Sequence, residues 1–143
     1  MPVDDLARSE VVTATEQTHV SEIATTMAEE MVGSVVIVDD DETPTGIVTD
    51  RDLALQCIAE EGETSDLTAG NVMSEDIKTV ERGSGFYEAV DTMSENGIRR
   101  LPVTDDSGEL VGILTTDDLT TLLADEQKGL ANVIEAQRQP YEE

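Results

Sequence analysis

The stretch from Gly46 to Leu53 reads GIVTDRDL, and 66 residues further on Gly112 to Leu119 reads GILTTDDL. Sliding the chain by that interval, with no gap, aligns twelve identical residues over the 41 positions from Thr13 to Leu53. Met27 falls on Met93, Asp39 on Asp105 and Gly46 on Gly112. An internal repeat constrains architecture before any local propensity does. This period is too long, and the copies too few, for a solenoid, whose units must stack in number to bury a core. Two copies point instead to a closed pair.

Each copy carries the same run of signals. A short apolar strand opens it, EVVTA in the first copy and DIKTV in the second. Thr18 and Ser84 stand where a helix N-cap is wanted. The helix that follows has Val20, Ile23, Ala24, Met27 and Met31 on one face in the first copy, and Phe86, Ala89, Val90 and Met93 in the second. Asn96 and Gly97 close the second of these helices. A near-continuous apolar strand comes next (SVVIV, RLPV), of the kind covered on both faces. An acidic turn leads to another strand, and a second helix starts after Thr49 or Thr115. The expected fold is therefore α/β, strand-helix-strand-strand-helix twice over. One copy is too small to cover both faces of its strands, so the two should pack about a pseudo-twofold axis around one shared core. The expected division is repeat one at 5–62, repeat two at 63–124 and a helical tail at 125–143. In that tail Leu130, Val133 and Ile134 lie at helical spacing, suited to covering a partner subunit.

Thirty-three acidic residues stand against six arginines and two lysines, a formal charge of −25. Such a surface repels phosphate backbones, which excludes nucleic-acid binding by counterion release. The acids interleave with regular apolar segments, so the composition is not that of a disordered chain. Self-repulsion on this scale is tolerable where salt screens it, and the composition resembles that of proteins from extremely halophilic archaea. The lone Cys57 leaves no internal disulfide. No run approaches about 18 consecutive apolar residues, so no membrane span is expected. MPVDDLARSE has neither a basic start nor an apolar run, and a cytoplasmic location is expected. The DDDE run at Asp39–Glu42 falls in a turn and lacks the spacing of a calcium loop, so no metal site is expected.

Thr49 and Asp52 are three apart at a helix start, as are Thr115 and Asp118. That spacing suits a capping box, in which each side chain satisfies an orphan backbone donor. It equally suits a carboxylate that accepts two hydrogen bonds from a ribose diol beside a helix N-terminus. Spacing alone leaves both readings open.

Taken together, NVMS (Asn71–Ser74), GIRRLPV (Gly97–Val103) and the twin G-h-h-T-x-x-D-L phrases, where h is an apolar residue, resemble the CBS domain. That domain occurs as tandem pairs called Bateman modules. The resemblance runs from about Asp5 to Ala124; the first copy departs from it at its start, where DLAR replaces NVMS. The resemblance implies a regulatory, non-catalytic module whose paired repeats form clefts for AMP, ADP, ATP or S-adenosylmethionine. By position it assigns the ribose to Asp52 and Asp118, with Thr49 and Thr115 beside ribose or phosphate. Adenine would lie against Thr13 and Ala14 or Thr79 and Val80, and phosphate near Ser34 or Arg100. Arg51, Arg99 and Arg100 stand out among so few basic residues as groups able to reverse the local field. Arg51 of the first phrase is Asp117 in the second, so the cleft built around Asp117 is expected to favour less negative ligands. The resemblance also implies a homodimer and a separate regulated protein. A catalytic barrel, such as inosine monophosphate dehydrogenase adds to this module, takes typically about 250 residues and has no room here. The competing expectation is a dimerisation scaffold whose nucleotide sites have decayed.

Overall fold

The computed structural model describes residues 1–59 and 66–138. The first copy comprises β1 (Thr13–Ala14), α1 (Val20–Glu30), β2 (Ser34–Val38), β3 (Pro44–Thr49) and α2 (Asp50–Leu53), which runs on as a π-helical turn over Ala54–Ala59. A short α3 (Ala69–Val72) leads into the second copy: β4 (Val80–Glu81), α4 (Phe86–Asn96), β5 (Arg100–Thr104), β6 (Leu110–Thr115) and α5 (Thr116–Arg138). The expected order is present in both copies. The junction expected at residues 62 and 63 lies outside the described residues, as does the tail from 139. The boundary expected at 124 and 125 falls inside the continuous helix α5.

Each copy builds its own three-stranded sheet, in the orders β1-β2-β3 and β4-β5-β6. The first pair in each is parallel and the second antiparallel. The registers repeat with the sequence: Ser34 faces Thr49 as Arg100 faces Thr115. Both hairpins are irregular at the same place, between Ile37 and Val38 and between Val103 and Thr104. The acidic turns explain why Asp39 and Asp105 are identical. Asp39 Oδ1 accepts from the amides of Asp41 and Thr43 at 2.9 and 3.0 Å, and Asp105 Oδ1 accepts from Ser107 and Glu109 at the same distances. These are Asx turns, in which the carboxylate replaces a backbone acceptor.

The expectation of one shared core is corrected. Buried residues fall into two clusters, one per copy. Each cluster is completed by the segment that leads into the other copy. Val3, fully buried, with Leu6 and Ala7, packs on Val80, Leu101 and Leu114 of the second copy. Ala69, Val72 and Met73 pack on Ile23, Ile37 and Val48 of the first. The exchange is symmetric in its hydrogen bonds. The Val3 amide donates to the Ser84 carbonyl at 2.7 Å, and the Ala69 amide donates to the Thr18 carbonyl at 2.8 Å. Three-stranded sheets with short outer strands bury too little alone, so the crossing leads fasten the pair into one module.

That exchange also displaces the expected N-caps. The helices are capped at His19 and Gly85, without side-chain cap bonds. Thr18 Oγ1 instead accepts from the Thr15 amide at 3.2 Å, and Thr18 and Ser84 hold the crossing segments through their carbonyls. On α1 only Val20, Ile23 and Met27 of the expected face are buried; Ala24 is exposed and Met31 is 91% exposed at the left-handed C-cap.

Candidate functional site

The repeated phrase ends each hairpin at a helix start. The Asp52 amide donates to Thr49 Oγ1 at 3.1 Å, while the Thr49 amide donates to Asp52 Oδ2 at 2.9 Å. In the second copy Thr115 and Asp118 make the same reciprocal pair, both bonds at 3.2 Å. Both pairs are capping boxes that satisfy helix-end donors. Capping uses Oδ2 of each aspartate and leaves Oδ1 for another partner.

The glycine that opens each phrase is required by the crossing leads. A Cβ on Gly112 would meet the Arg8 carbonyl oxygen at 2.9 Å, and one on Gly46 would meet the Ser74 carbonyl at 3.0 Å and Met73 Sδ at 2.5 Å. Arg8 pairs with Ile113 through two backbone bonds of 2.9 Å, and Ser74 pairs with Ile47 at 3.0 and 3.4 Å. Arg8 and Ser74 are the same repeat position, so each lead pairs with the strand that carries the opposite copy's phrase.

There the two copies diverge. Arg8 Nε donates to Asp118 Oδ1 at 3.1 Å, with the aspartate side chain only 14% exposed. Ser74 carries no charge, and among the described residues no cation pairs with Asp52.

A cleft of about 270 Å³ opens between the copies. Val11, Val12 and Ser34 wall it from the first copy, and Arg100, Ile113 and Thr115 from the second. Arg8 and Glu10 line it from the first lead, with Arg99 and Asp117 opposite. Of the residues singled out in the sequence, the cleft gathers Ser34, Arg99, Arg100 and Thr115. Asp118 adjoins it through Arg8. Thr49, Asp52 and Arg51 lie at the other hairpin end, outside this cleft. Thr13 is exposed on β1 and Ala14 packs on the first core; Thr79 is exposed, and Val80 is buried in the second core.

Sequence reading missed Arg8, although one of only eight basic residues standing where the lead departs from NVMS was a visible signal. The cleft that contains Asp117 also holds three of the six arginines, so its charge is not set by the T-x-x-D phrase alone. Asp117 lies 3.9 Å from Arg99, with both side chains more than three-quarters exposed. Among the described residues no group of three or more His, Cys, Asp or Glu side chains is placed to hold a metal.

Two pseudo-symmetric α/β repeats, joined by exchanged leads and carrying a capped carboxylate at each hairpin end, define a paired-repeat module with a cleft between its halves. The CBS domain model matches residues 3–57 and 69–125, and the chain belongs to the CBS domain family. It is 40% identical over 117 residues to the uncharacterized protein MK0525 of Methanopyrus kandleri, covering 82% of this chain and 60% of that one. The CBS domain pair of protein MJ0100, in complex with 5'-methylthioadenosine and S-adenosyl-L-methionine, superposes with a TM-score of 0.79 at 25% identity, covering 88% of this chain and 98% of that one. The CBS domain protein PAE2072 of Pyrobaculum aerophilum, complexed with AMP, superposes with a TM-score of 0.75 at 28% identity, covering 83% and 90%.

Proposed function

We propose that this chain is a non-catalytic regulatory module that binds an adenosine-containing ligand between its repeats. AMP, ADP, ATP and S-adenosylmethionine are the candidate ligands, and a separate protein reads the occupancy. The observation that carries this reading is a cleft walled by both copies, lined by Thr115 and adjoined by Asp118 through Arg8, because a ligand there touches both repeats at once. Related CBS pairs crystallised with AMP or S-adenosylmethionine support the ligand class. Ligand binding shifts the relative placement of the copies by no more than its differential affinity for the two arrangements.

The reading includes a cytoplasmic homodimer adapted to high salt. Among the described residues no helix is long and apolar enough to cross a membrane. Two apolar grooves support self-association, one lined by Val20, Ala24, Leu53 and Cys57, the other by Val90, Met93, Leu119 and Leu123.

The test is calorimetric titration of AMP, ATP and S-adenosylmethionine into the protein and its Asp52→Ala and Asp118→Ala variants. Saturable binding that disappears with loss of one or both carboxylates is expected. A second reading, a dimerisation scaffold with decayed sites, is favoured by one observation: both T-x-x-D pairs are already satisfied as helix caps. A folded dimer that binds none of the three ligands would establish it.

A further inference from the structure

The two aspartates of the repeated phrase are not equivalent, and the difference is a residue from outside the phrase. Asp118 has both oxygens engaged: Oδ2 by the Thr115 amide at 3.2 Å and Oδ1 by Arg8 Nε at 3.1 Å. A ribose diol that takes both oxygens of Asp118 competes with Arg8 for Oδ1. Arg8 is free to yield it, because its backbone is fixed on Ile113 while its side chain is 67% exposed at the cleft wall.

We propose that Arg8 is a selectivity residue that makes this cleft specific for adenosine compounds carrying phosphate. A neutral nucleoside, or the sulfonium cation of S-adenosylmethionine, weakens the Arg8–Asp118 pair and offers the guanidinium nothing in exchange. A phosphorylated ligand weakens the same pair but supplies a new one: the diol takes Asp118 Oδ1 and the phosphate takes Arg8. Guanidinium forks match phosphate oxygens in geometry as well as charge. Arg99 and Arg100 line the same cleft and are the further cations within it. The cleft gathers three of the chain's six arginines against Glu10 and Asp117, which makes it far less negative than a molecule of net charge −25 as a whole. The corresponding lead of the second copy has Ser74, so the Asp52 corner lacks the exchange and does not discriminate in this way. This inference rests on the adenosine reading and assigns the ligand class of its cleft.

The experiment titrates adenosine, S-adenosylmethionine, AMP and ATP into the protein and its Arg8→Ala and Arg8→Lys variants at one fixed salt concentration. Arg8→Ala is expected to tighten adenosine by up to about fivefold, the yield of freeing an ion pair whose arginine lies in solvent. It should weaken ATP by about tenfold or more, the loss of a charge-assisted contact. The ratio of the two affinities therefore contracts on both sides. Arg8→Lys keeps the charge without the fork, so most of the preference should survive. Weakening of all four ligands by one common factor would make Arg8 a merely structural residue and overturn the proposal, as would an unchanged ratio; in both cases the adenosine reading survives. Absence of binding by all four ligands to every variant would sink that reading and this inference together.

Discussion

Met31 and Gly97 occupy the same place in the two copies, the left-handed residue that ends the first helix, at φ 56° and 62°. The second copy spells this in its sequence as Asn96-Gly97, and the first does not. A side chain in that region costs about 1–2 kcal/mol, against which glycine's extra chain entropy is roughly 0.5–1. Because Met31 is 91% exposed, its removal forfeits little packing. Met31→Gly should therefore raise unfolding stability by about 0.5–1 kcal/mol, read as a shifted denaturation midpoint at unchanged slope. A loss of stability would mean that Met31 makes contacts its exposure does not reveal. The converse substitution, Gly97→Met, should destabilise by a similar amount. Thr49 and Thr115 belong to the same scale. Thr49→Ala removes the acceptor of the Asp52 amide and should cost about 1 kcal/mol. Thr49→Ser should restore most of that loss, since the hydroxyl alone makes the bond.

At the scale of elements the repeat made the fold legible and hid the way its halves join. Strand and helix order, the twin hairpins and the αL stop at Gly97 all follow from periodicity and turn chemistry. The exchange of leads does not, because DLAR and NVMS share no residue and neither shows a marked apolar face. The displaced N-caps have the same origin: Thr18 and Ser84 have the right chemistry for a cap, but their carbonyls are committed to Ala69 and Val3, and capping passes to the next residue. The candidate site divides likewise. Thr115, Ser34, Arg99 and Arg100 were legible because the repeat locates them, whereas Arg8 reaches the site only through the crossing. The glycines of the phrase test this account. Gly112→Ala places a methyl 2.9 Å from the Arg8 carbonyl, a backbone atom that cannot step aside alone. Overpacking of this kind costs typically about 1–3 kcal/mol, and the lead should lift from β6. Protection of the Arg8 and Ile113 amides against hydrogen exchange should fall together, while amides in β2 and β3 keep theirs. Uniform loss across both copies would mean that the crossing is not a separable element.

For the whole molecule two forces oppose each other, and both depend on the solvent. The apolar surface left open favours association: on α5 alone Leu123, Leu130, Val133 and Ile134 are each more than half exposed, along a helix about 34 Å long. A charge of −25 per chain opposes it, and opposes the compact monomer as well. The Debye length falls from about 10 Å at 0.1 M salt to about 3 Å at 1 M, so added salt removes the repulsion and leaves the apolar term. The proposed homodimer should accordingly tighten between 0.1 and 1 M potassium chloride in sedimentation runs, and Leu130→Glu with Ile134→Glu should abolish that gain. Stability of the fold should rise in parallel. A screening gain of about 2 kcal/mol corresponds to a melting temperature higher by roughly 4–8 °C for a chain of this size. Dimerisation could produce the same rise by mass action, so the comparison belongs at two protein concentrations, in the wild type and in the double-glutamate variant. If screening acts within the chain, the variant melts higher in salt at either concentration. A melting temperature indifferent to salt in the variant would show that the acids are spaced so widely that folding brings few of them together, and would remove the case for salt adaptation.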